Sequence, residues 1–170
     1  MRKLILVRGP ICAGKSTTID FLRSVSRGLS WIDQDCLKRA IDKERPSDWR
    51  DEIAFNTTIC LARFLMQKGR NIIADIHSSI PRQYEEYKRL ALENNYALFS
   101  FLLYPSLEVC QERNQRRVIP DVEYVVSEDD IRQYWKNPYQ VAGETIFDSE
   151  RTETKSIAEK ILQETGLSEK

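Results

Sequence analysis

No apolar run in the 170 residues exceeds about five positions, far short of the roughly 20 that a membrane-spanning helix needs. The opening MRKLILVRG has the two basic residues of a secretory leader. Its apolar stretch stops at Arg8, however, and no small-residue cleavage site follows. The reading is a first β-strand in a cytoplasmic protein with no membrane partner. Net charge is lacking too, since 26 Lys and Arg balance 26 Asp and Glu. Domains whose whole surface grips a polyanion carry a basic excess. The balance therefore counts against extended nucleic-acid binding while leaving room for a local basic site. Cys12, Cys36, Cys60 and Cys110 form no CxxC pair and have no neighbouring histidine. That spacing counts against a zinc site, and a chain of this length needs no disulfide staples. Repeats, low-complexity stretches and Pro/Gly/Ser linkers are missing as well, so a single domain over 1–170 is expected.

Short apolar runs alternate with longer polar segments of helical period. Leu4-Ile5-Leu6-Val7 reads as a strand covered on both faces. Ile19, Phe21 and Leu22 mark the inner stripe of a helix from Lys15 to about Ser26. Leu29 to Ile32 is a second short strand, followed by a helix from Asp35. A long helix over Asp48 to about Gln67 should turn Ile53, Leu61, Phe64 and Leu65 inward and stop near Gly69. Asn71 to Asp75 and Tyr96 to Leu103 are further strands, separated by a helix with Pro81 in its first turn. Helices from Ser106 to Arg117 and near Glu128 to Trp135 precede a fifth strand over Glu144 to Asp148. A terminal helix ends near Gly166. Strands and helices in this order predict a three-layer α/β fold with about five parallel strands and helices on both faces.

The strongest motif is Gly9-Pro10-Ile11-Cys12-Ala13-Gly14-Lys15-Ser16, which fits G-x-x-x-x-G-K-[ST] with a strand before it and a helix after it. Such a loop curls its N–H groups around phosphate oxygens, at the positive end of the following helix. Gly9, Ile11, Cys12, Ala13, Gly14, Lys15, Ser16 and Thr17 are the candidate nucleotide-binding residues. Lys15 should reach the β- and γ-phosphates and Ser16 should hold Mg²⁺. ATP and Mg²⁺ are the expected cofactors.

Asp33 and Asp35 flank Gln34. If this stretch is extended, both carboxylates face one side at the ligand edge of the sheet. A carboxylate there can accept a proton from an acceptor hydroxyl or help hold the metal. Lys38 and Arg39, one turn later, suit an anionic group on the acceptor. Asp75 ends the third strand where a Walker B-type carboxylate organises magnesium through water. His77, the single histidine, is a candidate for the acceptor pocket. Arg113, Arg116 and Arg117 lie three and four residues apart, with Arg113 sharing a face with both others. Guanidinium groups clamp transferring phosphate oxygens well.

These segments, in this order, resemble the small P-loop kinases of the nucleoside monophosphate kinase-like group. The nearest pattern is the kinase domain of phage-type polynucleotide 5′-hydroxyl kinases. The resemblance rests on Gly9 to Thr17, Asp35 with Lys38, Asn71-Ile72-Ile73-Ala74-Asp75, and Arg113-Asn114-Gln115-Arg116-Arg117. It implies a five-stranded parallel sheet, an acceptor-binding region over about 33–68 and a lid over about 113–127. It also implies that Asp35 is the general base on the acceptor hydroxyl and that Arg113 or Arg116 contacts the donor phosphates. The chain departs from the pattern at Lys38, where those kinases carry arginine, and at Asp75-Ile76-His77 in place of Asp-Thr-Asn. Nor do these 170 residues include a phosphatase domain.

The expected activity is therefore transfer of the γ-phosphoryl group of ATP to an acceptor hydroxyl. The acceptor is either a nucleotide or polynucleotide 5′-end, gripped at that end, or a small metabolite or antibiotic. Kinases related to this group act on gluconate, shikimate and adenylylsulfate. A regulatory ATPase is the rival from another class, and a binding module without turnover is a third. No water-positioning residue or partner-facing switch surface marks the ATPase, the short Arg-rich lid suits a kinase better, and a binding module would leave Asp35 without a chemical role.

Overall fold

The computed structural model describes residues 1–42, 47–116 and 126–167. In chain order they form β1 (Lys3–Gly9), α1 (Lys15–Val25), β2 (Leu29–Ile32), α2 (Gln34–Ile41), α3 (Asp48–Gln67) and β3 (Asn71–His77). Then come α4 (Pro81–Glu93), β4 (Ala97–Leu103), α5 (Leu107–Gln115), α6 (Glu128–Trp135), β5 (Thr145–Phe147) and α7 (Thr154–Thr165). The strands make one sheet in the order β2-β3-β1-β4-β5, and every pairing is parallel. The three-layer α/β fold with a five-stranded parallel sheet is thus the architecture observed. Among the described residues, no helix is long and apolar enough to cross a membrane.

The central strand shows why its sequence is almost wholly apolar. Side chains alternate across a strand, so Leu4 and Leu6 join the core beneath α3 and α4 while Ile5 and Val7 join the core beneath α1 and α7. A parallel strand covered on both faces buries both sets. Ile19 and Leu22 anchor α1 in the second core, and Ile157, Ala158, Ile161 and Leu162 anchor α7 beside them.

The inward face of α3 differs from the expected one. Ala54, Phe55, Thr58, Ile59, Ala62 and Met66 are buried, while Ile53, Leu61 and Phe64 are exposed and Leu65 is half-buried. Apolar residues occur all around this helix, so periodicity alone did not distinguish its two faces. Element ends otherwise differ by one or two residues. The consequential case is β3, which runs on to His77 and places Asp75 inside the strand rather than at its end.

Charge also enters the core. Arg8, next to the phosphate loop, is fully buried. Its Nη1 donates to both carboxylate oxygens of Glu144 at 2.7 Å, and its Nη2 to the carbonyls of Ser78 and Tyr139. The Ser100 hydroxyl donates to the same carboxylate. This cluster joins β1, the end of β3, β4 and the chain leading into β5. A cation directly after the apolar run Leu4–Val7 and inside the strand signals a buried partner, but the partner's identity depends on the fold.

Candidate active site

The phosphate loop leaves the C-terminal end of β1, the middle strand. Gly9 is required by close approach, since a Cβ there would stand 2.6 Å from the Leu103 carbonyl oxygen and 2.9 Å from the Ala13 Cβ. Gly14 adopts a left-handed conformation (φ 94°) just before α1. Cys12 also has a positive φ, of 62°, unusual for a residue with a side chain and a mark of a tightly curled loop. Lys15 curls back, its Nζ donating to the carbonyls of Gly9 at 3.1 Å and Pro10 at 2.8 Å. Burial lowers its pKa, opposed by the carboxylates of Asp75 and Asp35. Ser16 and Thr17 open the first turn of α1, and all residues from Ile11 to Thr17 line one cleft of about 1150 Å³.

Asp75 reaches this cleft from β3. Burial lifts its pKa to about 6 against the attraction of Lys15, with Asp35 and Asp33 adding to the rise. Its Oδ1 is buried and makes no hydrogen bond within the protein. An unpaired carboxylate oxygen in the cleft that Ser16 also lines fits magnesium held through water. No group of three or more His, Cys, Asp or Glu side chains able to cage a metal occurs among the described residues. A metal here would therefore take its remaining ligands from phosphate and water.

The acceptor end is built on α2 and α3. Asp33 does not pair with Asp35 as an extended strand would have it, because β2 stops at Ile32 and the chain turns at once into α2. Asp33 caps that helix, accepting from the Cys36 N–H at 2.9 Å, and it is not among the cleft-lining residues. Asp35 follows in the first turn and faces the cleft. Lys38 lies 3.8 Å from Asp35 and 3.1 Å from Asp51 of α3, which tethers it at the wall. Arg39, Arg50 and Arg82 line the cleft as well, with the Arg82 guanidinium over the Phe55 ring, 5.4 Å from its centroid.

His77 closes β3 and lines the cleft. Its ring packs 4.9 Å from that of Tyr134 on α6, and its Nδ1 is buried without a protein partner. Burial and the nearby Lys15 depress its pKa to about 3, so the ring is neutral at physiological pH. Gln83 accepts from the His77 N–H at 2.9 Å and donates to Gln34 at 3.2 Å, tying the end of β3 to the residue before Asp35.

The arginines separate. Arg113 donates to the Cys12 carbonyl at 3.3 Å and to the Ser149 carbonyl at 2.7 Å, and so bridges the phosphate loop and the turn after β5. Arg116 is not brought to the cleft. Its side chain is 81% exposed and lies 3.6 Å from Glu112. The shared-face reading required an unbroken helix, whereas α5 ends at Gln115 and Arg116 is its C-cap. Arg117 and most of the expected lid lie outside the described residues. Ser149, Gln83 and Gln34 escaped the sequence reading. Ser149 is buried and donates from its hydroxyl to the Ala13 carbonyl at 2.8 Å, a contact across 136 residues that no local motif announces.

A parallel sheet with the phosphate loop after its middle strand, opening on one large cleft, is the fold of a P-loop kinase. The family model for an AAA domain matches residues 4–137, and the chain belongs to that family. No curated protein matches it. Among solved structures, an inferred kinase from Chloroflexus aurantiacus is 20% identical, with a TM-score of 0.75 over 97% of this chain and 96% of that one. The APS kinase CysC of Mycobacterium tuberculosis, solved with AMPPNP and APS, is 13% identical, with a TM-score of 0.66 over 97% and 98%. A chain of the Pnkp1/Rnl/Hen1 RNA repair complex is 17% identical, with a TM-score of 0.68 over 79% of this chain and 43% of that one. At these identities the likeness is one of fold.

Proposed function

We propose that the protein is an ATP- and Mg²⁺-dependent kinase acting on an acceptor hydroxyl. The observation that carries this reading is a single cleft holding Lys15 of the phosphate loop, the buried Asp75 and the cleft-facing Asp35. The loop N–H groups and Lys15 bind and orient the triphosphate. Ser16 and Asp75 would hold magnesium, which neutralises phosphate charge when bound. Asp35 takes the proton of the acceptor hydroxyl as its oxygen bonds to the γ-phosphorus. The bond from that phosphorus to the β,γ-bridging oxygen breaks, and its electron pair leaves on ADP. Arg113 steadies the donor side of the site, while Lys38, Arg39 and His77 face the acceptor.

The chain works as one domain in this reading, with an acceptor region over about 33–68 and a lid over about 113–127. A nucleotide or polynucleotide 5′-hydroxyl is the favoured acceptor, supported by the motif order and by the likeness to the RNA repair complex. A small metabolite is the second reading, supported by the likeness to the APS kinase over nearly its whole length. The test uses purified protein, γ-labelled ATP and a panel of oligonucleotide, nucleotide and metabolite acceptors. Label should move to one acceptor class and not without it. Hydrolysis at one rate whatever is added would replace this reading with an ATPase. Lys15→Ala should abolish every nucleotide-dependent activity.

A further inference from the structure

The outward face of α3 is apolar where a solvated helix would be charged. Its buried residues Ala54, Thr58 and Ala62 face the sheet. At about 100° per residue, Trp49, Ile53, Cys60 and Phe64 fall within an arc of about 60° on the opposite side. Trp49 is 52%, Ile53 47% and Phe64 55% exposed, and Cys60 is exposed as well. Asn56 and Thr57 lie between them, no charged residue falls within the arc, and at its C-terminal end the Lys68 ammonium lies 5.3 Å from the Phe64 ring centroid. It runs about 22 Å along the helix at about 1.5 Å per residue. Exposed apolar surface gathered on one helix face in this way marks interaction sites.

We propose that this stripe joins two copies of the chain, packed antiparallel, α3 on α3, about a two-fold axis passing between Asn56 and Thr57. The spacing is self-complementary. Trp49 and Phe64 are equally far from that midpoint on either side, and so are Ile53 and Cys60. A two-fold contact requires that residue i meet residue j while j meets i. Antiparallel packing satisfies this by setting Trp49 against Phe64 of the second copy and Ile53 against Cys60 of the second copy, each pair twice. Charge agrees with this register. Glu52 and Arg63, both exposed, share one flank of the stripe. The same alignment brings Glu52 of each copy within about one helical turn of Arg63 of the other. With exposed apolar area on the order of 300–400 Å² per copy and a polar rim, the contact lies near the lower end of specific interfaces, about 1,200 Å² in total. The dimer is accordingly reversible and concentration-dependent. Trp49 adjoins Arg50, Asp51 and Glu52 of the cleft wall, so the second copy sits beside the acceptor end of the site.

Sedimentation equilibrium of the full chain over a wide concentration range tests this, with a second measurement fixing the register. The wild-type mass should move from monomer to dimer. Phe64→Glu, which places a carboxylate at both ends of the contact, should weaken dimerisation by about 100-fold or more, with an unchanged circular dichroism spectrum. In a Cys36→Ser background, Ile53→Cys should form a disulfide-linked dimer with Cys60 under mild copper-catalysed oxidation, and adding Cys60→Ser should abolish it. A mass that stays monomeric at the highest concentration overturns the proposal. A dimer untouched by Phe64→Glu and unlinked by Ile53→Cys overturns it equally.

Discussion

Glu144→Ala should be among the most damaging substitutions outside the phosphate loop. Arg8 is fully buried and the Glu144 side chain is 3% exposed. Truncating Glu144 removes two charge-assisted bonds of 2.7 Å and the bond from Ser100. The guanidinium would remain enclosed, keeping the Ser78 and Tyr139 carbonyls and the rings of Tyr84 and Tyr139 as partners among the described residues. Removing one partner of a buried pair costs about 3–5 kcal/mol, because the other charge stays buried without compensation. The carbonyls and rings keep part of the interaction, so the lower end, about 3 kcal/mol, is expected. In a domain of this size each kcal/mol moves Tm by about 2–4 °C, so the loss is roughly 6–12 °C. Urea unfolding and calorimetry should agree on it, with an unchanged m-value. Arg8→Met combined with Glu144→Leu should recover most of the stability, since an apolar pair of similar volume often replaces a buried ion pair without loss. The exposed Arg89, which pairs with Glu86 and Glu93, is the control, and Arg89→Ala should leave the unfolding midpoint essentially unchanged. A Glu144→Ala loss below about 1 kcal/mol, or no coupling in the double-mutant cycle, would refute the role assigned to the pair.

Asp35→Asn should lower phosphoryl transfer by about 10²-fold or more while sparing ATP binding, as measured by label transfer and calorimetric titration; equal transfer by both proteins would remove Asp35 from the reaction. Gly9→Ala drives a Cβ into backbone 2.6 Å away, so it should cost about 1–3 kcal/mol in urea unfolding and eliminate ATP binding. Asp75 carries a raised pKa of about 6 in the folded protein, against about 3.9 when unfolded, so its contribution is full below the lower value and is lost as pH rises toward and through the upper one. Metal-free stability should therefore fall by about 2–3 kcal/mol between pH 4 and 7 on this account, and Asp75→Asn should flatten that segment of the profile. An unchanged profile in the variant would place the pH dependence elsewhere.

The elements that could be read from local pattern were those with a local cause. LILV followed by Gly9 and Gly14 specifies strand, turn and helix within a few residues of one another. Pro81 and Gly166 stand at helix ends where backbone geometry favours them. The readings that changed were those in which a neighbour decided the outcome. Asp33 became a helix cap because α2 begins immediately after β2. Phe64 and Ile53 faced outward because the sheet lies against the other side of α3. Arg116 left the cleft because α5 ends one residue before it. Cys110 is a buried core thiol, and burial pushes its pKa up to about 11.

The sequence by itself determined the phosphate loop, the alternation of strands and helices, and the residue types available for phosphoryl transfer. Each of these depends on backbone preferences and spacings that a short segment carries within it. Tertiary structure alone decided that Arg113 bridges Cys12 and Ser149, that Gln83 ties His77 to Gln34, and that Arg8 meets Glu144. Those contacts join residues far apart in the chain, and their partners are chosen by which side chains the packed sheet and helices bring within hydrogen-bond reach. A buried polar group must find such a partner or bear the cost of desolvation.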